Sequence, residues 1–313
     1  MLGNPLVFVS IIMNARNAER YIKHAIDSVI AQSHNNWELI VLDNQSTDHT
    51  IMRVSAFNDS RIRLHQTEKL LPLGMARNLA LSFVKGDFIC FLDSDDLWET
   101  NKVSEQLSIF EMSPDLGMVY GNCWVIDSSS TRLHKYNNEG HSGNIFDLLL
   151  IRNFINLQTV MINGRLPISG GLRLRDDLEV AEEYELFLRI CYAHKVYYID
   201  SPLASYRVHN AMTSLKKEHK FVEELELILE ILPSYINDFE SDYAVAIKKS
   251  RFSILYKKYR TLRKNSDYLL ALNLLMVNFF KFRQVIILIP TLLLPMRVFV
   301  SLEKISRKIM YTK

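Results

Sequence analysis

The first hundred residues alternate between two hydrophobic periods. Short runs rich in branched side chains, LVFVSIIM (6–13), WELIVLD (37–43), RIRLHQ (61–66) and DFICFLD (87–93), read as strands. Between the first two, Ile22, Ala25, Ile26, Val29 and Ile30 recur at helical spacing, with Asn17 placed to cap the helix. DHTIMRVSAFND predicts a shorter helix beginning after Thr47 or Asp48, and GMARNLALSFVK a third with Gly86 as its stop signal. Strand alternating with helix is the pattern of an α/β chain whose parallel sheet is joined by right-handed crossovers. In such sheets ligands lie beyond the carboxyl ends of the strands.

That rule gathers the polar residues on one rim. The first strand runs into Asn14, Ala15 and Arg16, the second into Asp43, Asn44 and Gln45, and the fourth into Asp93, Ser94, Asp95 and Asp96. Two readings of these carboxylates stand: caps for the helices that follow, or a cation site. Like charges this close repel unless a cation or donors compensate them. Oxygen ligands on a short turn suit a hard ion, Mg2+ or Mn2+, which keeps positions open for substrate phosphates.

Composition narrows the setting. The 313 residues, 48% hydrophobic, can bury a large core and suggest two domains of ordinary size. With 37 basic against 35 acidic residues, the total charge gives no support to a nucleic-acid partner. Cys90, Cys123 and Cys191 are an odd number, far apart in apolar surroundings, which fits reduced buried thiols. The N-terminus lacks the pattern of a signal peptide, so a cytoplasmic location is expected.

The later chain is less legible. GNCWVIDSSS reads as a strand entering a turn, IFDLLLIRNFINLQTVMI as a wall of the site, and LPISGGLRLRDD (166–177) as a loop that could move over a ligand or simply lie on the surface. After about residue 215 come amphipathic helices, then an uncharged stretch of 12 residues, Val285 to Met296. It is too short to span a bilayer, is interrupted by Pro290 and Pro295, and is flanked by Lys281, Arg283, Arg297, Lys304, Arg307 and Lys308. Two readings stand here too: a segment lying on an anionic membrane surface, or a hydrophobic hairpin packed on the protein or on a second copy.

Five stretches in order, VSIIMNARNAERYIKHAIDSVIAQSHNNWELIVLDNQSTDHT (9–50), PLGMARNLAL (72–81), GDFICFLDSDDLW (86–98), AEEYELFLRI (181–190) and YRVHNAMTS (206–214), resemble the family 2 glycosyltransferases. The resemblance covers about two thirds of the chain and implies the GT-A fold, a Rossmann-like, mostly parallel sheet flanked by helices. Residues 1–214 would then be the catalytic domain, and 215–313 a C-terminal helical extension. It further implies an inverting, metal-dependent, hexosyltransferase-type enzyme that uses Mn2+ or Mg2+. Such an enzyme moves a sugar from a nucleoside-diphosphate sugar to a saccharide or lipid-linked saccharide acceptor, in cell-envelope polysaccharide or glycolipid synthesis at the inner face of the membrane.

Carried over residue by residue, the resemblance assigns Asp43 to the nucleoside, with Asn14, Arg16, Arg77, Asp93, Ser94 and Arg207 also on the donor. DSDD stands at the DXD position, so Asp95 is the expected metal ligand, Asp93 binds ribose or metal through water, and Asp96 supports the turn. His209 is a further metal ligand or a donor to the diphosphate. Glu183 matches the acid that deprotonates the acceptor hydroxyl, with Glu182 as the fallback; the competing reading is an acidic helix start formed by Glu179, Glu182, Glu183 and Glu185. The competing reading of Arg77 is a helix-surface residue. The chain departs from the family pattern at Asn44, where a second acid is usual, at the turn Met13 to Asn17, and at Glu183, where Asp is usual.

Rival readings lack their own signals. A sugar-nucleotide pyrophosphorylase would need a glycine-rich basic loop after the first strand, where this chain has MNARNAER, and an aspartyl phosphotransferase would need a threonine where Leu97 and Trp98 stand nearby. A catalytically inactive nucleotide-sugar-binding or scaffold protein of the same fold is the alternative from another class.

Overall fold

Seven elements in strict alternation build the first half of the sheet: β1 (Val9–Ala15), α1 (Ile22–Ile30), β2 (Trp37–Asp43), α2 (Thr50–Ser55), β3 (Ile62–Gln66), α3 (Leu73–Leu81) and β4 (Phe88–Phe91). The structure is a computed structural model and describes residues 7–136, 139–209, 217–265, 267–278 and 288. The strands lie side by side as β3-β2-β1-β4, all parallel. Every residue of β2 and β4 is buried, as expected where helices cover both faces of a parallel sheet. Register places Ala15 beside Asp43, so β1 and β2 end level and their polar successors emerge together.

Local chemistry differs from the sequence expectations at three points. Asn17 does not cap α1, which starts after Tyr21 without a side-chain cap. Instead Asn17 has φ +51°, and its side-chain oxygen accepts from the Thr47 N–H at 2.8 Å, tying the two strand ends together. Gly86 does not stop α3, which has already ended at Leu81. A Cβ at Gly86 would stand 2.6 Å from the Ser10 nitrogen, so glycine is needed for close approach of the chain entering β4 to β1. α2 starts at Thr50, where Asp48 Oδ1 accepts from the Thr50 N–H and hydroxyl.

Beyond β4 the chain continues as β5 (Leu97–Trp98), α4 (Lys102–Met112), β6 (Met118–Ile126), β7 (Arg132–Lys135), α5 (Phe146–Ile151), a 3-10 turn Leu157–Thr159, β8 (Met161–Asn163), α6 (Glu182–Ala193) and β9 (Val196–Arg207). These strands extend the sheet as β8-β6-β9-β5, with β7 paired to β6. β8 runs antiparallel to both β4 and β6, β9 parallel to β6, and β5 antiparallel to β9. The sheet is therefore mixed: its first four strands are parallel, and the remainder is not uniformly so. The β5–β9 pairing, Leu97 with Ser205, brings the Asp-rich turn after β4 against the end of β9. Ile11, Met13, Leu39, Val41, Cys90, Trp98 and Met161 form part of the core beneath that rim, each large apolar side chain contributing about 1.5–3 kcal/mol by leaving water. The three cysteines are free and buried.

The chain divides into Met1–Tyr243 and Ala244–Lys313, whereas the sequence suggested 214/215. α7 (Glu218–Ile231) and α8 (Phe239–Asp242) thus group with the first unit. In the second unit α9 (Ala244–Lys264) and α10 (Tyr268–Asn278) meet through Leu255, Tyr256 and Tyr259 on one side and Ala271 and Leu275 on the other. Of the apolar stretch 285–296 only Leu288 is described. It is buried in this same cluster, and its carbonyl accepts from the Tyr259 hydroxyl at 3.3 Å; the remaining residues of that stretch, and 210–214 after His209, lie outside the described residues. No helix among the described residues is long and apolar enough to cross a membrane.

Candidate active site

The turn after β4 is held from two sides. Asp96, fully buried, donates its N–H to the Asp93 carbonyl and accepts the Arg207 N–H on Oδ1 at 2.7 Å, fastening the turn to β9. Burial, reinforced by the charges of Asp95 and Asp93, pushes its carboxyl well above the usual range. Asp95 remains one third exposed, with Oδ2 2.9 Å from His209 Nε2. Burial and the Asp93 charge raise its pKa against the pull of His209. Asp93 is gripped at both carboxylate oxygens: Oδ1 accepts from Arg77 Nη2 at 3.1 Å and Oδ2 from Gln158 Nε2 at 2.6 Å. Gln158 also accepts the Asp93 N–H at 2.8 Å. Sequence reasoning passed over Gln158, because an uncharged residue in INLQT carries no signal until the 3-10 turn sets it beside Asp93.

Arg77 is the hub. It is buried on α3, so the surface-residue reading fails. Its guanidinium donates to Glu182 Oε1 at 2.9 Å and Glu183 Oε2 at 3.3 Å through Nη1, and to Asp93 through Nη2. Burial alone would lower its pKa; the charges of Asp93, Glu182 and Glu183 more than reverse that. Glu182 has no exposed surface, while a quarter of the Glu183 side chain is accessible. Burial, then the neighbouring Glu182, raises the Glu183 carboxyl to about 8, with Arg77 opposing. Glu182 itself is raised by burial, again against Arg77. Only Glu183 of this pair therefore combines an elevated pKa with a route to a ligand. Glu185, expected among the acids complementing the helix dipole, pairs instead with buried Arg189 at 2.8 Å. Arg189 also donates to the carbonyls of Ser169, Gly171 and Arg173, fastening the 166–177 loop to α6.

At the β1 and β2 ends, polar atoms stand without partners among the described residues. Both amide atoms of Asn14 are buried and unpaired, and so is Asp43 Oδ1, although Oδ2 accepts the Ser46 N–H at 3.1 Å. Buried polar atoms left open in this way are costly unless a ligand completes them. Arg16 is exposed beside them, and Ser94 is half-buried on the opposite strand end. Asn44 explains its own departure from the family pattern. Its amide donates to the Leu71 carbonyl at 2.8 Å and accepts the Leu71 N–H at 2.9 Å, a pairing that a carboxylate could not make with both groups. Arg207 is built into the frame, donating to the carbonyls of Asp95 and Asp127 and to Ser130 Oγ, with its guanidinium 4.5 Å over the Tyr21 ring. Nη2 is the atom of this guanidinium left buried without a partner among the described residues.

Among the described residues no group of three His, Cys, Asp or Glu side chains could hold a metal ion on its own. Asp95 and His209 form a pair. Together they would offer a divalent cation one oxygen and one nitrogen ligand.

A sheet of this topology, with an Asp-rich turn leaving its central region, has the GT-A fold. The Staphylococcus aureus TarS 1–349 structure in complex with UDP-GlcNAc superposes with a TM-score of 0.62 at 17% identity, covering 84% of this chain and 76% of that one. The chain belongs to glycosyl transferase family 2, whose sequence profile matches residues 10–171. It is 44% identical over 122 residues to the Escherichia coli UDP-Glc:alpha-D-GlcNAc-diphosphoundecaprenol beta-1,3-glucosyltransferase WfgD, across 39% of this chain and 48% of that protein. It is 33% identical over 215 residues to the putative teichuronic acid biosynthesis glycosyltransferase TuaG of Bacillus subtilis, across 66% and 82% of the respective chains. The chain thus spans about half the length of the first of these relatives and most of the second.

Proposed function

We propose that the protein transfers a hexose from a nucleoside-diphosphate sugar to a hydroxyl of a lipid-linked saccharide, with inversion, in cell-envelope polysaccharide synthesis. The observation that carries this reading is the single guanidinium of Arg77 joining Asp93, on the donor side, to Glu183. A base held this close to the donor turn is placed for a direct displacement. The open polar atoms of Asn14 and Asp43 would receive the nucleoside, a carboxylate oxygen accepting from a pyrimidine N–H or ribose hydroxyl. Arg16, Ser94 and Arg207 Nη2 border the donor, while Arg77 acts on it through Asp93. Asp95 and His209 would hold Mg2+ or Mn2+, which when bound offsets the charge gathering on the diphosphate. Glu183 takes the acceptor hydroxyl proton as that oxygen attacks C1. The C1–O bond breaks, and the nucleoside diphosphate leaves with the electron pair.

The substrates named for WfgD make UDP-glucose and a GlcNAc-diphospholipid the first pair to try. UDP with Mn2+ should stabilise the protein by about 2.7 kcal/mol at 100 times the dissociation constant, several degrees in melting temperature. The Asp95→Ala variant should fold and lose that shift. A shift equally large with chelator, or in the variant, would remove Asp95 from the metal.

A lipid-linked acceptor calls for membrane contact, and the second unit has suitable chemistry. α10 is apolar around most of its circumference, yet Leu269, Leu270, Met276 and Val277 are exposed. α9 carries Lys248, Lys249 and Arg251 among its basic residues and no Asp or Glu. An apolar helix beside a basic one suits the surface of an anionic bilayer. Sedimentation with phosphatidylglycerol vesicles should exceed that with phosphatidylcholine and weaken with salt. A Leu269→Glu, Val277→Glu double variant should remain in the supernatant; its undiminished pelleting would exclude this face.

A further inference from the structure

α6 starts without a cap of its own. Its N-cap residue is Ala181, which has no side-chain acceptor, so the N–H groups at its start need partners from elsewhere. α7 supplies them. Glu224 is buried, and its Oε1 accepts the Glu179 N–H at 2.8 Å while Oε2 accepts those of Val180 at 3.0 Å and Ala181 at 2.9 Å. Three N–H groups converging on one buried carboxylate make charge-assisted bonds, and the charge lies at the positive end of the α6 dipole. The neighbouring Lys217–Glu179 ion pair is about half exposed on both sides, so it adds little.

We propose that Glu224 is a positioning residue for Glu183. By fixing residues 179–181 it sets the first turn of α6, and with it the point at which Glu183 meets Arg77 and faces the acceptor. The inference rests on the reading of Glu183 as the base. Glu224 acts on Glu183 through backbone and, more remotely, through its charge, which raises neighbouring Glu182; the charged groups gathered around Glu183 itself are Arg77, Glu182 and Asp93. The geometry also connects two parts of the site that the sequence keeps apart. The chain leaves β9 at Arg207 and His209, and α7, next described along it, returns a carboxylate to the start of the helix bearing Glu183.

The test uses the full chain in three variants: Glu224→Gln, Glu224→Asp and Glu183→Gln. Glutamine keeps the size but offers one acceptor oxygen and turns an NH2 group toward backbone N–H donors. Hydrogen exchange at the amides of 179–185 should rise about tenfold in Glu224→Gln, with the turn at 93–96 unaffected. Carbodiimide labelling of the Glu183 carboxyl should shift its pH midpoint down by about half a unit, through loss of the Glu224 charge as well as solvent entering the turn, so the exchange result is the one that reports positioning. With UDP-glucose and a GlcNAc-diphospholipid, kcat should fall about tenfold while donor KM stays within about twofold. Glu224→Asp should recover part of each change, and it carries the comparison should the glutamine variant not fold. A folded Glu224→Gln protein with unchanged exchange at 179–185 overturns the inference, whatever Glu183 does. Normal transfer by Glu183→Gln overturns the base reading instead and leaves the exchange result to decide whether Glu224 sets this turn.

Discussion

Glu183→Gln should fold, retain its response to UDP and lose transfer by a factor of about 10²–10⁴, the range that a positioned general base supplies. The amide preserves size and can still meet Arg77, so the loss reports proton transfer rather than packing. Wild-type kcat/KM should rise with pH toward a limb near 8, where the Glu183 carboxyl ionises in the free protein. The same elevation has a stability signature of defined sign. Between its ordinary value of 4.5 and about 8 the folded state keeps a proton on Glu183 that the unfolded chain has released. Stability therefore falls as pH rises through that window. Asp95, Asp96 and Glu182, also raised, act in the same direction. The melting temperature of the ligand-free protein should drop from pH 5 to pH 8, and drop less in Glu183→Gln. A variant that turns over normally would move the base to another residue; parallel melting curves would deny the elevated ionisation.

Arg77→Met should be the most destabilising single change in the site. It leaves fully buried Glu182 without its cation and, once Glu183 ionises near pH 8, sets Glu182, Glu183 and Asp93 against one another. Removing one partner of a buried ion pair typically costs about 3–5 kcal/mol, here a fall of roughly 10 °C for a domain of this size. The loss should shrink at low pH, where the carboxyls take up protons. Arg77→Lys should fall between the two, since one ammonium cannot reproduce a planar fork spanning three carboxylates. A methionine variant melting within about 2 °C of wild type at pH 9, above the Glu183 ionisation near 8, would mean that the guanidinium is not what holds these acids.

The alternation of strand and helix from β1 to β4 was legible because each element buries one repeating face, and hydrophobic period records that directly. Motifs singled out Asp95, His209, Arg77 and Glu183 as candidates, and the fold brings Asp95 to His209 and Glu183 to Arg77. What Arg77 does there was not legible: it meets three carboxylates from two other elements. Asn44, Gln158 and Glu224 share a different obscurity. Each bonds backbone or a carboxylate distant in sequence, and an isolated polar residue has no period or spacing to announce such a partner. β8 and β5 are short strands of three and two residues, below the length at which alternation can be read. The compact unit reaches to Tyr243 although α7 looks as amphipathic as the helices after it, because Glu224 on α7 holds the residues preceding α6.

Three of the contacts that close the site are distant along the chain. Arg77 and Glu183 are 106 positions apart, Asp96 and Arg207 are 111, and Asp95 and His209 are 114. Loops of that length close slowly and only once both ends are present. A growing polypeptide thus carries its Asp-rich turn for more than a hundred residues of synthesis before β9 arrives to pair it. On this reading the proposed donor site is incomplete until β9 is made. Donor affinity should accordingly appear at a single late moment, and a nucleotide added during refolding should hold back unfolding of the finished molecule without hastening its formation.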